Sequence, residues 1–243
     1  ATFDKINSKS MKIKLILLIL VVSLFNFKNE IKKDNIKITP ISHATAVISF
    51  ENETIYLDPT GGANAFSKFE KPSYILMTDV HGDHFNMKTL KELDLSSTTI
   101  IAPKAVADQF QNTSAKEIII INNGEQKKFA NFSIEAIPMY NLREEALKFH
   151  TKGRGNGYVL TIKKERIYFS GDTEDIPEMR NLKNIDKAFV CMNIPYTMTI
   201  ESAAEAVLEF KPKEVYPYHY RGTEGLSDVE KFKKIVTDKN KSI

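Results

Sequence analysis

The sequence has one cysteine among its 243 residues, so no internal disulfide can form. Cys191 lies in the apolar run Ala188-Phe189-Val190-Cys191-Met192 and reads as a buried, inert thiol. There is no internal repeat and no low-complexity tract. The net charge is only +3, and no Arg/Lys stripe interleaved with aromatics marks a nucleic-acid face. Histidine is scarce too. The five are His43, His81, His84, His150 and His219, so any imidazole site must draw on these.

A long hydrophobic run is also missing. Leu15 to Phe25 is apolar except for Ser23 and follows Met11-Lys12-Ile13-Lys14. A spanning helix needs roughly 20 apolar residues. The length instead suits a charged n-region and the h-region of a signal peptide. Residues 1–29 therefore read as a leader, with Ala1 to Ser10 an extension upstream of a natural start at Met11. No Ala-x-Ala cleavage site is present, so an uncleaved membrane anchor is the alternative. Either way the protein is expected to be exported, periplasmic or secreted, or held at a membrane.

The whole chain is 42% hydrophobic and 27% charged, ordinary for a globular protein, and what remains, 30–243, reads as one domain. After the polar linker Glu30 to Asn35, strand patterns occur at Ile36-Lys37-Ile38, Thr45 to Phe50 and Thr54 to Leu57. The last two are joined by a tight turn. Further strands are expected at Tyr74 to Met77, Thr99 to Ala102 and Ile118 to Ile121. Helices are expected after Asn86, which can cap one, and over Pro103 to Gln111. A second set of strands covers Phe132 to Ile137, Gly157 to Ile162, Arg166 to Ser170, Lys187 to Cys191 and Glu214 to Tyr218. Helices fill Thr199 to Phe210 and Ser227 to Val236. This alternation predicts a layered α/β domain without saying which.

The chemistry is concentrated in Thr78-Asp79-Val80-His81-Gly82-Asp83-His84-Phe85, at the end of a strand and just before a helix. Two carboxylates and two imidazoles crowded into one turn oppose each other unless a cation binds them. Carboxylate oxygens and neutral imidazoles are the donors that suit zinc. A polar surface loop is the bland alternative, and the density of ligand-type residues argues against it. Two later segments also follow strands: Gly171-Asp172-Thr173, and Pro217-Tyr218-His219-Tyr220.

Taken in order, these motifs resemble those of the metallo-β-lactamase superfamily, whose metal turn is usually His-x-His-x-Asp-His. Asp79 departs from it, standing where the first His is expected. The resemblance covers about Ile36 to Val236 and implies a four-layer αββα sandwich with the site on loops at one edge. It implies that Asp79, His81, Asp83, His84, Asp172 and His219 hold one or two ions, with Asp172 bridging. His150 completes the set as the middle ligand. Asn141, at a strand end, is the alternative, but Asn is the poorer zinc ligand. His43 and Asp58 are implied to support the ligands from behind, Asp58 by accepting a ring N–H. Asp83 is in the position that orients the water, and Tyr196 or Tyr220 can donate to a developing oxyanion. Arg221 and Lys152 can attract an anionic substrate.

Within the superfamily the chain is most similar to the lactonase-like and phospholipase-D-like branch, through Gly153-Arg154-Gly155-Asn156-Gly157-Tyr158 and Tyr196-Thr197-Met198-Thr199. The expected activity is hydrolysis of an ester, lactone or phosphodiester in a small-molecule or lipid-like substrate, by a hydroxide formed on Zn2+. Asp79 adds hard oxygen character that keeps manganese or iron open. The alternatives are an oxidoreductase on the same fold and a non-enzymatic metal-binding surface protein.

Overall fold

Two six-stranded sheets carry the site, and both are built on one plan. A computed structural model describes residues 36–110 and 113–243. The leader, the linker to Asn35 and the end of the expected helix at Gln111 lie outside the described residues. The first sheet runs β1 (Lys37–Ser42), β2 (Thr45–Phe50), β3 (Glu53–Leu57), β4 (Tyr74–Leu76), β5 (Thr99–Ala102) and β6 (Glu117–Ile120), in that spatial order. Its first three strands are antiparallel hairpins; β3 to β6 are parallel. The second sheet runs β7 (Gln126–Lys128), β8 (Phe132–Met139), β9 (Gly155–Ile162), β10 (Glu165–Phe169), β11 (Lys187–Val190) and β12 (Glu214–Pro217). It too is antiparallel through β10 and parallel from β10 to β12. A two-stranded ribbon, β13 (Arg221–Gly222) with β14 (Gly225–Leu226), follows β12.

Period-2 alternation assigns each strand two faces. In the first sheet, Ile48, Ile55, Leu57, Leu76 and Ile101 join one cluster with Ile134, Tyr158, Leu160, Ile167 and Tyr168 of the second sheet. The alternate residues Val47, Tyr56, Ile75, Met77 and Ile100 form a separate cluster beneath α1 (Met87–Glu92) and α2 (Lys104–Ala107). On the far side, α4 (Ile200–Phe210) and α5 (Val229–Lys239) supply Ala203, Ala204, Val207, Phe210, Phe232 and Val236. A short α3 (Pro177–Arg180) precedes them. The layers are therefore helices, sheet, sheet, helices, the αββα order expected from the resemblance. Among the described residues no helix is long and apolar enough to cross a membrane.

Local chemistry sets the helix ends. Asn86 caps α1, its side chain accepting from Thr89 N at 2.9 Å. Thr199 and Asp228 do the same for α4 and α5. The helix expected to start at Pro103 is shorter than its pattern. It stops at Ala107, because Gln109 and Phe110 bond back only three residues and tighten into a turn. The final helix begins two residues later than expected and runs on to Lys239. Strand β7 has no sequence signature, because its three polar, exposed residues carry no alternation.

A candidate metal centre at the strand ends

Parallel strands all point their carboxyl ends toward the same edge, and loops leaving that edge converge. Asp58 follows β3 and the Thr78–His84 turn follows β4. Asp172, Asn193 and His219 follow β10, β11 and β12. His43 sits in the β1–β2 turn, and Asn141 and His150 lie in the loop after β8. Residues scattered over the sequence are thus brought to one place by strand direction.

Asp79, His84, His150, Asp172 and His219 are all buried, while His81 is half-buried and the Asp83 side chain is 44% exposed. Asp172 is central. Its Oδ2 is 3.3 Å from His84 Nε2 and 3.2 Å from His150 Nε2, and its Oδ1 is 3.4 Å from His219 Nε2. Asp83 Oδ2 lies 3.3 Å from His219 Nε2 and 3.2 Å from His43 Nε2. On the other side Asp79 Oδ2 is 2.6 Å from His81 Nδ1 and 3.9 Å from His150 Nε2. Three groups can each hold an ion: His84–Asp172–His219, His43–Asp83–His219 and Asp79–His81–His150.

The donor chemistry fits a cation. His84 Nδ1 lies 2.8 Å from Asp58 Oδ2, an acceptor, so this nitrogen carries the proton and Nε2 carries the lone pair. That lone pair faces His219 Nε2 at 3.1 Å and the Asp172 carboxylate. Electron pairs converging on buried space are stabilised by a positive charge between them. Asp172 Oδ1 has no hydrogen-bond partner although buried. Without an ion, a proton must serve instead. Burial alone would lower the His84 pKa, but Asp172 and Asp58 outweigh it and hold it well above the imidazole range. Burial likewise opposes ionisation of Asp172, and His219 and His84 pull it well below the carboxylate range. Asp83 is also depressed, against burial, through His219 and His43.

Supporting contacts explain why the ligands stay in place. Asp58 accepts from Thr78 N at 2.8 Å and from Thr78 Oγ1 at 2.5 Å as well as from His84. Burial pushes its carboxyl up and these donors oppose that. The His43 and His219 rings pack with centroids 3.7 Å apart and planes tilted by 32°. Asn141 donates to Tyr196 O at 2.7 Å and to Ala146 O at 2.9 Å, which ties its loop to the one carrying Tyr196. His150 Nδ1 also contacts Tyr196 O, at 3.1 Å, and its Nε2 is the nitrogen facing Asp172.

A cavity of about 410 Å³ opens over the ligands, lined by His81, His150 and Asp172 together with Phe149, Asn193, Tyr196 and Arg221. Tyr220 lies elsewhere, on a smaller neighbouring cavity with His43 and His219. Lys152 is paired with Glu178 at 2.8 Å and sits over the Tyr140 ring. Two supporting residues carry no role that a sequence motif suggests. Thr78 bonds both Asp58 and His84, and Arg154 clasps Asp79 with Nε at 3.0 Å and Nη2 at 2.9 Å. Burial works against the Asp79 charge, but His81, His84 and Arg154 bring its pKa down to about 2. The signal for Arg154 was its glycine-rich surroundings. A Cβ on Gly157 would meet Ser170 O at 2.6 Å, and one on Gly155 would meet Thr78 O at 2.8 Å. The glycines let β9 slide against both ligand-bearing strand ends.

This fold and this edge cluster define a metallo-hydrolase architecture, and the comparisons agree. The beta-lactamase superfamily domain matches residues 54–220, and the chain belongs to that superfamily, in its metallo-β-lactamase fold. A UPF0173 metal-dependent hydrolase from Pyrococcus abyssi is 28% identical over 219 residues, 86% of this chain and 95% of the relative. A crystal structure described as a metal-dependent hydrolase from Parabacteroides distasonis is 37% identical with a TM-score of 0.75. The match covers 84% of this chain and 89% of that one. The metallo-β-lactamase fold protein YhfI from Bacillus subtilis shares the fold at 13% identity and a TM-score of 0.68, over 85% of this chain and 93% of its own.

Proposed function

We propose that this chain is a zinc-dependent hydrolase of an ester, lactone or phosphodiester, with a substrate that joins an anionic group to an apolar body. One observation carries the reading. The Nε2 nitrogens of His84 and His219 and the Asp172 carboxylate converge within 3.4 Å beneath an open cavity. A divalent ion held by Asp83, His84, Asp172 and His219 would lower the pKa of a coordinated water toward about 7 and polarise the substrate oxygen.

The chain's own residues supply the rest. Asp83, half in solvent and held 3.2 Å from His43 Nε2, can orient the attacking water by accepting its hydrogen bond. Arg221 and Asn193 line the cavity and suit a carboxylate or phosphate. Phe149 and Tyr196, edge to face at 5.0 Å, form an apolar wall whose Tyr196 hydroxyl can donate to a developing oxyanion. Lys152 is paired with Glu178 at 2.8 Å and does not line the cavity. The apolar run Leu15 to Phe25 supports an exported or membrane-held enzyme, which cell fractionation tests directly.

The test is a panel of chromogenic esters, lactones and phosphodiesters, assayed on chelator-stripped and zinc-reloaded protein. Elemental analysis of protein purified without added metal decides between zinc and the iron or manganese that a carboxylate-rich set also accepts. His84→Ala and His219→Ala should each lose most bound metal and activity. Wild-type metal content in both variants would end this reading.

A further inference from the structure

The two sides of the cluster are not balanced in charge. On one side, Asp83 and Asp172 are paired with histidines, at 3.2 to 3.4 Å. Two carboxylates there are available to neutralise a divalent ion. On the other side, Asp79 already has a permanent cation. Arg154 Nε meets Oδ1 at 3.0 Å and Nη2 meets Oδ2 at 2.9 Å, a two-point grip on a fully buried carboxylate. The grip is built in. Nη2 is anchored on Phe149 O, Gly153 adopts φ 89°, and Asn156 N donates to Thr78 O at 2.9 Å, pinning the Arg154 loop to the metal turn.

A carboxylate oxygen has two in-plane lone pairs. On Asp79 Oδ2, Arg154 takes one and His81 Nδ1, 2.6 Å away, takes the other. An ion entering the Asp79–His81–His150 group must displace His81 from that contact or use the second lone pair of Oδ1, whose first Arg154 Nε already takes. It then gains a carboxylate whose charge is already cancelled, with a guanidinium just behind it. Its remaining anionic help is a share in Asp172, whose Oδ2 lies 3.2 Å from His150 and 3.3 Å from His84.

We infer that the centre is asymmetric: Asp83, His84, Asp172 and His219 hold the resident ion, while Asp79, His81 and His150 form a weak, exchangeable site whose affinity Arg154 sets. Arg154 acts through Asp79 and is a positioning residue. The inference rests on the metallo-hydrolase reading above, but it concerns binding order rather than reaction.

The experiment is a zinc titration of chelator-stripped protein against a chromophoric chelator, with elemental analysis after gel filtration. Wild type should retain one ion per chain, and a second, repelled by the Arg154 guanidinium, should bind about 100-fold more weakly or worse. His81→Ala should abolish only the weak event, and His84→Ala the tight one. Arg154→Met removes a positive charge beside the ion and frees the Asp79 carboxylate, and should tighten the weak site about tenfold or more, leaving the tight site unchanged. Should unpaired Asp79 unfold that variant, the double variant Asp79→His with Arg154→Met removes both buried charges together and should hold two ions through gel filtration. Two equally tight ions in wild type would overturn the inference. So would a weak site that Arg154→Met leaves unchanged or weakens, since Arg154 would then be presenting Asp79 for ligation. Wild type that retains no ion at all would overturn the metallo-hydrolase reading itself, a distinguishable result.

Discussion

Replacing Asp58 by Asn changes one atom of the centre and separates ligand orientation from stability. Asp58 is completely buried and has φ 41°, a left-handed conformation that Asn tolerates as well as Asp does. The backbone therefore stays. The carboxylate accepts from three groups: Thr78 N, Thr78 Oγ1 and His84 Nδ1. An amide has only one oxygen. If that oxygen faces Thr78 N, the amide N–H₂ faces His84 Nδ1, which must then give up its proton and accept. The proton moves to Nε2 and blocks the nitrogen aimed at the ion. If the oxygen faces His84 instead, Thr78 N–H opposes an N–H₂ and loses its partner, at about 1–3 kcal/mol.

In the first arrangement the Thr78 hydroxyl turns to accept from the amide N–H₂, so only its own proton loses an acceptor, and the stripped protein should melt only slightly below wild type. Binding the ion requires the second, so its cost appears as lost affinity. At 1.4 kcal/mol per decade, 1–3 kcal/mol is roughly 5- to 150-fold. This brackets the roughly 10- to 100-fold usual when a partner behind a ligating His is removed. The assay pairs a chelator competition titration with thermal melting of the stripped variant. Zinc affinity within twofold of wild type would refute the reasoning. So would an affinity loss matched by an equal loss of stability in the stripped state, since that would report a damaged fold rather than a misdirected imidazole.

Gly157→Ala places a Cβ 2.6 Å from Ser170 O and 3.0 Å from Phe169 O, both backbone atoms of the strand end that leads to Asp172. Denaturant unfolding should show about 1–3 kcal/mol of destabilisation, and a loss under 0.5 kcal/mol would contradict the close approach. The Cys191 thiol, pushed up to about 11 by burial and by nearby Asp172, should resist a thiol reagent at pH 8 until the protein unfolds. Because its folded pKa lies above the unfolded value, its contribution to stability is intact below about pH 9. That contribution is lost as pH rises through 11. Rapid native labelling at pH 8 would show the site to be open.

Which parts of this centre the sequence reveals follows from how each residue reaches it. His81, Asp83 and His84 are legible because one strand-end turn carries them, and a turn's spacing is local. Asp172 and His219 are legible because each directly follows a recognisable strand, and parallel strands deliver their carboxyl ends to a shared edge. Arg154 fails both conditions. Its contact with Asp79 depends on β9 passing the end of β4 in the opposite sheet, a register fixed by Asn156 N on Thr78 O that no periodicity encodes. The same distinction separates the two tyrosines. Tyr220 adjoins His219 in sequence, but His219 has φ 46°, which breaks the strand's alternation. The chain turns there and carries Tyr220 to the neighbouring cavity. Tyr196 is far from every ligand in sequence, yet its carbonyl is held by both Asn141 and His150, so the ring is fixed at the cavity wall. Adjacency in sequence is thus a poor guide wherever the backbone leaves the extended conformation. That is where this fold places its chemistry, with His43, Asp58 and His219 all at positive φ.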